Sequence, residues 1–102
     1  MSRFTKGPWV ADKTSRAVGP VSKEDDQSYG MALAVAWVEF DPEVEIQAAN
    51  QQLIAAAPEL LEALQEMVAI VKKNTYPQPD KPSSTWGRME AAESVIAKAL
   101  GQ

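Results

Sequence analysis

Cysteine and histidine are both missing from this 102-residue chain. Without cysteine there is no disulfide, no thiolate nucleophile and no haem attachment, and without either residue there is no ordinary Cys/His zinc site. The lack of histidine also removes the commonest general base near neutral pH. Acid–base chemistry would fall to carboxylates, lysine or tyrosine. Long apolar runs are missing too. The most apolar stretch, Met31 to Val38, lies mid-chain and falls far short of the roughly 20 residues of a membrane helix. The opening Met1-Ser2-Arg3-Phe4-Thr5-Lys6 has no apolar run of the kind a secretory leader carries. The chain is therefore expected to be soluble and cytoplasmic, without membrane attachment. It is also expected not to be an enzyme, with no catalytic residue, no metal ligand and no cofactor.

What is present is a globular composition, 45% hydrophobic and 24% charged, which argues against disorder. The net charge is −4, unevenly spread. Arg3, Lys6, Lys13 and Arg16 face a single acid, Asp12, in the first twenty residues. From Asp41 to Val71 there are only acids: Asp41, Glu43, Glu45, Glu59, Glu62 and Glu66. General DNA binding is not expected of such a molecule, because a phosphate backbone needs a continuous basic surface. The N-terminal segment can still hold a small anion.

Local patterns order the chain. Gly7-Pro8 marks a turn before a short strand at Trp9–Ala11, and Arg16–Val18 is a second strand ended by Gly19-Pro20. Lys23 to Ser28 is polar and charged, as a loop is. In Met31 to Phe40 the bulky Met31, Leu33, Val35 and Trp37 alternate with Ala32, Ala34 and Ala36. That period of two predicts a strand with one bulky and one small face. Asp41-Pro42 predicts a helix start, with an acid as N-cap and proline at the first helical position. Ile46, Ala49, Leu53 and Ala56/Ala57 make its apolar stripe. Pro58 interrupts this helix and begins another, whose stripe runs through Leu60/Leu61, Leu64, Met67/Val68 and Val71. Pro77, Pro79 and Pro82 make 75–84 a loop. A last helix starts near Ser84 or Thr85 and stops at Gly101.

The sum is a single α+β domain over 1–102. Two or three short antiparallel strands in 1–40 precede a broken helix pair in 41–74, the loop 75–84 and a helix in 85–100. The helices are expected to pack on one face of the sheet, the bulky one.

Two segments carry a resemblance. Phe4-Thr5-Lys6-Gly7-Pro8-Trp9 resembles the "TPGPW" opening of small phage and prophage proteins of uncharacterised activity. Asn50-Gln51-Gln52-Leu53-Ile54-Ala55-Ala56-Ala57-Pro58-Glu59-Leu60-Leu61-Glu62-Ala63-Leu64 resembles their "NARLIAAAPELLEAL" segment. The chain departs from them at Lys6, Gln51 and Gln52. The resemblance implies a phage accessory protein that acts by binding, in counter-defence, as an inhibitor of a host immune protein such as a CRISPR component. One alternative is an oligomeric sponge for an immune signalling nucleotide. Another is a structural or replication helper of the phage.

Several residues are candidates for such roles. Lys6, Trp9, Lys13 and Arg16 suit a small anionic nucleotide, with Trp9 stacking on a base and the cations on phosphate. The competing reading makes Trp9 a core anchor. Glu59, Glu62 and Glu66, at i, i+3 and i+7, form one acidic helix face. Such a stripe is either a solvated surface that a host defence protein meets or, less in keeping with single-helix geometry, a carboxylate site. Trp86 and Arg88 are a candidate partner hot spot, unless Trp86 anchors the proline loop. The wide apolar arc of Leu60, Leu61, Leu64, Met67, Val68 and Ile70, with the alanine face of the strand, predicts a homo-oligomer. Asn50, on the stripe of the first helix, is expected to hydrogen-bond the Gly7-Pro8-Trp9 backbone, with Trp9 near Leu53 or Ile54.

Overall fold

The computed structural model describes residues 4–20, 34–78 and 80–102. Arg3, Met31, Ala32, Leu33, Pro79 and the expected loop Lys23 to Ser28 lie outside them. The elements are β1 (Trp9–Ala11), β2 (Ala17–Pro20), β3 (Ala36–Trp37), α1 (Val44–Ala55), α2 (Ala57–Lys73) and α3 (Thr85–Ala99). This is an α+β fold, a three-stranded antiparallel sheet followed by three helices. The chain forms two compact units, Thr5–Glu59 and, beyond it, Leu60–Gln102.

In the first unit the sheet order is β1-β2-β3. Trp9 pairs with Pro20 and Ala11 with Val18 on one side of β2, and Val18 pairs with Ala36 on the other. β2 is therefore central, and its Val18 is fully buried, with Ala17 at 4% exposure. β3 is short, but Val35 N–H donates to the Val18 carbonyl at 2.7 Å and Val38 N–H to that of Arg16 at 2.8 Å. Its inward side corrects the sequence reading. Val38 is buried, while Val35 and Trp37 face water. Successive strand residues alternate sides, so the small-residue face carrying Ala34, Ala36 and Val38 turns inward and the bulky one outward. Alternation specifies that two faces differ, and only the neighbouring strand decides which one is covered.

α1 lies against β1 and β2, and it too is turned relative to expectation. Ile46, Ala49, Asn50 and Leu53 are all exposed, and Gln51 is the buried residue. The helix is turned by roughly 150° from the expected face, so that Gln47, Gln51, Ile54 and Ala55 look inward. Its start differs as well. Asp41 is not the N-cap: Glu43 is, without a side-chain cap bond. The Asp41 carboxylate instead accepts the Glu43 N–H at 2.8 Å, and Gln47 Oε1 accepts the Asp41 N–H at 3.1 Å. The helix gives way at Ala56, which separates α1 from α2, and Pro58 is the second residue of α2.

The reason for the rotation is the Gln51 amide. Its nitrogen donates to the carbonyls of Asp12 (2.8 Å), Ser15 (3.0 Å) and Ala17 (2.9 Å), the backbone of the β1–β2 connection. With two protons for three acceptors, one proton is shared. The Asp12 and Ser15 carbonyls lie outside the strands and need a donor once they are covered, while that of Ala17 also accepts the Asp12 N–H at 3.0 Å. The bond assigned to Asn50 is thus made by its neighbour and to a different turn. The Gly7 turn meets Pro58 instead: a Cβ at Gly7 would lie 2.8 Å from Pro58 Cβ.

In the second unit α3 is bounded by two capping motifs. Ser84 is its N-cap and its hydroxyl accepts the Gly87 N–H at 3.1 Å. Gly101 closes it at φ 78°. There Gln102 N–H donates to Ala97 and Gly101 N–H to Lys98, the paired bonds of a glycine-terminated helix. Met89 of α3 is buried and lines an apolar cleft with Leu64, Val68 and Val71 of α2. Lys72 and Glu93 add an exposed ion pair at 3.2 Å, worth little in water. Among the described residues, no helix is long and apolar enough to cross a membrane.

The Gln51 bonds predict that Gln51→Ala destabilises the chain by about 2–3 kcal/mol, since a buried carbonyl without a donor costs 1–3 kcal/mol. Gln51→Leu should fare no better, and Asn50→Ala should be silent. Urea unfolding of the three variants checks this. A Gln51→Ala chain as stable as the parent would refute it.

Candidate functional site

The β1–β2 connection that Gln51 holds from within is also held from without. Asp12 Oδ1 accepts both the backbone N–H and the hydroxyl of Thr14 at 2.9 Å. Asp12 N–H donates to the Ala17 carbonyl at 3.0 Å, and Ser15 Oγ accepts the Ala17 N–H at 3.3 Å. A turn tied on both sides presents its side chains in fixed places. Lys13 and Arg16 project from it, and the Arg16 guanidinium reaches the Val38 carbonyl at 3.4 Å.

These side chains form one wall of a groove of about 440 Å³. Trp37 and Phe40, from β3 and the residues after it, form a second wall. The first turns of α1 close it, with Val44, Gln47 and Ala48 above Gln51. Trp37 and Phe40 are each 68% exposed. The groove therefore combines two cations with two aromatic faces in water.

The structure brings together half of the residues assigned to ligand binding. Lys13 and Arg16 line the groove. Lys6 is exposed and Trp9 half-buried, and neither lines it. The Trp9 indole N–H donates to the Thr5 carbonyl at 3.2 Å, within its own turn. Sequence reasoning does not find Trp37 and Phe40 as site residues, because the alternation places Trp37 on the bulky face expected to be covered and Phe40 merely ends the apolar run. The available signal was their position at the end of the apolar run, next to Glu39 and Asp41, where a strand leaves the sheet.

The other candidates are on the helices. Glu59, Glu62 and Glu66 are exposed on α2, as are Leu60, Met67 and Ile70 beside them. Trp86 is half-buried at the start of α3. Arg88 is exposed, and its Nε donates to the Ser83 carbonyl at 3.1 Å, which ties it to the loop before the helix. A Cβ on Gly87 would collide with the Pro82 carbonyl, so the loop passes directly over this turn. Among the described residues no three acidic side chains converge as a metal site would require.

Fold and groove describe a small α+β protein that presents cationic, aromatic and apolar side chains to solvent. The chain belongs to the family described as Salmonella phage P22 protein Y8K6, whose profile matches residues 1–102. It is therefore one of the small phage proteins. Comparison with curated proteins and with solved structures finds no match.

The two Thr14 bonds favour ionised Asp12 and hold its carboxyl below the ordinary 3.8. A group with a depressed folded value contributes stability above its unfolded value and loses it as pH falls through the folded one. The Asp12 contribution is thus present at neutral pH and disappears below about pH 4. Asp12→Ala should lower the melting temperature at pH 7 and have a smaller effect at pH 2.5. Equal losses at both pH values would show that Asp12 acts through something other than its charge.

Proposed function

We propose that the protein is a non-enzymatic phage accessory protein that acts in counter-defence, by binding a host protein through the outer face of α2. One observation carries this reading. Leu60, Met67 and Ile70 are 54%, 58% and 56% exposed. With Ala63 they follow the i, i+3, i+7, i+10 spacing that puts side chains on one helix face. A soluble chain rarely leaves such a strip uncovered without a partner for it.

The charges beside the strip select the partner. Glu59 and Glu66 run along one edge, and Glu62 lies beyond them on the same side. A basic edge on the partner matches this arrangement. A second copy laid antiparallel would set the acidic edge of the strip against its own counterpart, which works against self-pairing here. Self-association belongs instead to α1. Its outward Ile46, Ala49 and Leu53 are exposed, and no charged residue lies between Ile46 and Leu53.

Retention of host proteins on the tagged chain, from phage-infected cells, tests the first part. One host protein should be held stoichiometrically and released by salt. Met67→Glu with Ile70→Glu should abolish capture, and Glu59→Gln with Glu66→Gln should weaken it. Capture that survives Met67→Glu with Ile70→Glu, or no capture at all, overturns the reading. Sedimentation tests self-association. A species of at least twice 11.1 kDa is expected at micromolar concentration, reduced to the monomer by Leu53→Glu. An 11.1 kDa species for the unaltered chain overturns it.

A further inference from the structure

We propose that the groove framed by the β1–β2 turn, the end of β3 and the start of α1 binds a small aromatic anion, of the chemical class of a nucleoside monophosphate. This is independent of the protein-binding role given to α2.

Charge is the first reason. Among the described residues, the ionised side chains lining the groove are Lys13 and Arg16, with no carboxylate beside them. In a chain of net charge −4, a concave surface whose described lining carries two cations is a local reversal of sign, and it attracts an anion. Val44, the first residue of α1, brings the positive end of that helix to the same place.

The aromatic walls are the second reason. Trp37 of β3 and Phe40 just after it stay 68% exposed, while Val38 between them is buried. An indole and a phenyl held in water beside a cation offer a flat ring a stacking surface and its phosphate a charge. Pre-organisation is the third. Gln51 fixes the turn from below, the Thr14 bonds fix it from above, and the Val38 carbonyl holds Arg16. Binding then spends little on ordering the loop. A volume of about 440 Å³ also lies in the usual range for small-molecule sites.

The surroundings limit the ligand to a short one. Glu39, Asp41 and Glu43 lie in the same stretch of chain as Trp37 and Phe40. A polynucleotide running past the groove would meet these acids, whereas a single phosphate between Lys13 and Arg16 would not.

The test is calorimetric titration of the full chain with adenosine monophosphate, adenosine, ribose phosphate and a short single-stranded oligonucleotide. Adenosine monophosphate should bind, and adenosine and ribose phosphate should each bind about tenfold more weakly or worse, as loss of a stacking or charge contact implies. Trp37→Ala and Lys13→Ala should each cost a similar factor. Both residues are exposed, so the fold should be kept, and circular dichroism would confirm it. Trp37→Phe should retain binding, and Met67→Glu should leave it unchanged. The proposal is overturned if adenosine monophosphate does not bind at millimolar concentration, or if ribose phosphate binds as well. Unaltered binding in Trp37→Ala, or tighter binding of the oligonucleotide, overturns it too.

Discussion

The Gln51 side-chain amide is the interaction on which the first unit depends. It supplies donors to the three carbonyls of Asp12, Ser15 and Ala17, and the last of these bonds is fully buried. A turn between two short strands has few ladder bonds of its own, so its remaining acceptors must be met from elsewhere. Meeting them sets the rotation of α1, brings the first turns of that helix beside β3, and holds Lys13 and Arg16 in place. One helix residue thus couples the sheet, the helix and the groove. Such a bond adds modestly to stability in the net, but its loss would leave buried groups unpaired, which is the larger effect.

That choice has a consequence at the surface. When the polar Gln47 and Gln51 turn inward, Ile46 and Leu53 must turn outward. The same inversion occurs in β3, where Val38 is buried and Trp37 exposed. Among the described residues the buried apolar side chains are Ala17, Val18, Val38 and Met89, so apolar burial is small and polar fastening correspondingly more important. The apolar strips left outside on α1 and α2 are then the surfaces available for recognition. Their different charge borders, the single Glu45 on α1 and Glu59, Glu62 and Glu66 on α2, allow them to meet different occupants.

The two segments shared in pattern with small phage proteins find a physical link here, although not the expected one. The opening turn and the α1–α2 junction meet where Gly7 lies against Pro58. Only a residue without a Cβ fits against that ring at this separation. The helix break at Ala56 and the proline after it therefore do two things: they end α1, and they give the N-terminal turn a surface to rest on.

Much of the architecture was legible from local chemistry. The strands near Trp9 and Val18, the interrupted helix around Ala56-Ala57-Pro58, and the last helix from Ser84 to Gly101 each follow from backbone rules that act within a few residues. Proline lacks an N–H, serine can accept one, and glycine tolerates positive φ. These constraints need no distant partner, so sequence by itself determined element order and the α+β class. What it could not determine was which face of each element is covered. Asn50 and Gln51 are both polar and adjacent, and their spacing to Ile46 and Leu53 favours burial of the wrong one. The alternation in β3 likewise distinguishes two faces without ranking them. Both choices were made by acceptors on the β1–β2 turn, thirty-four residues or more from Gln51 in the chain, and by the register of β3 on β2. The groove follows from those choices: Lys13 and Arg16 could be suspected from their type, but Trp37 and Phe40 became its walls only when the tertiary structure turned them to water.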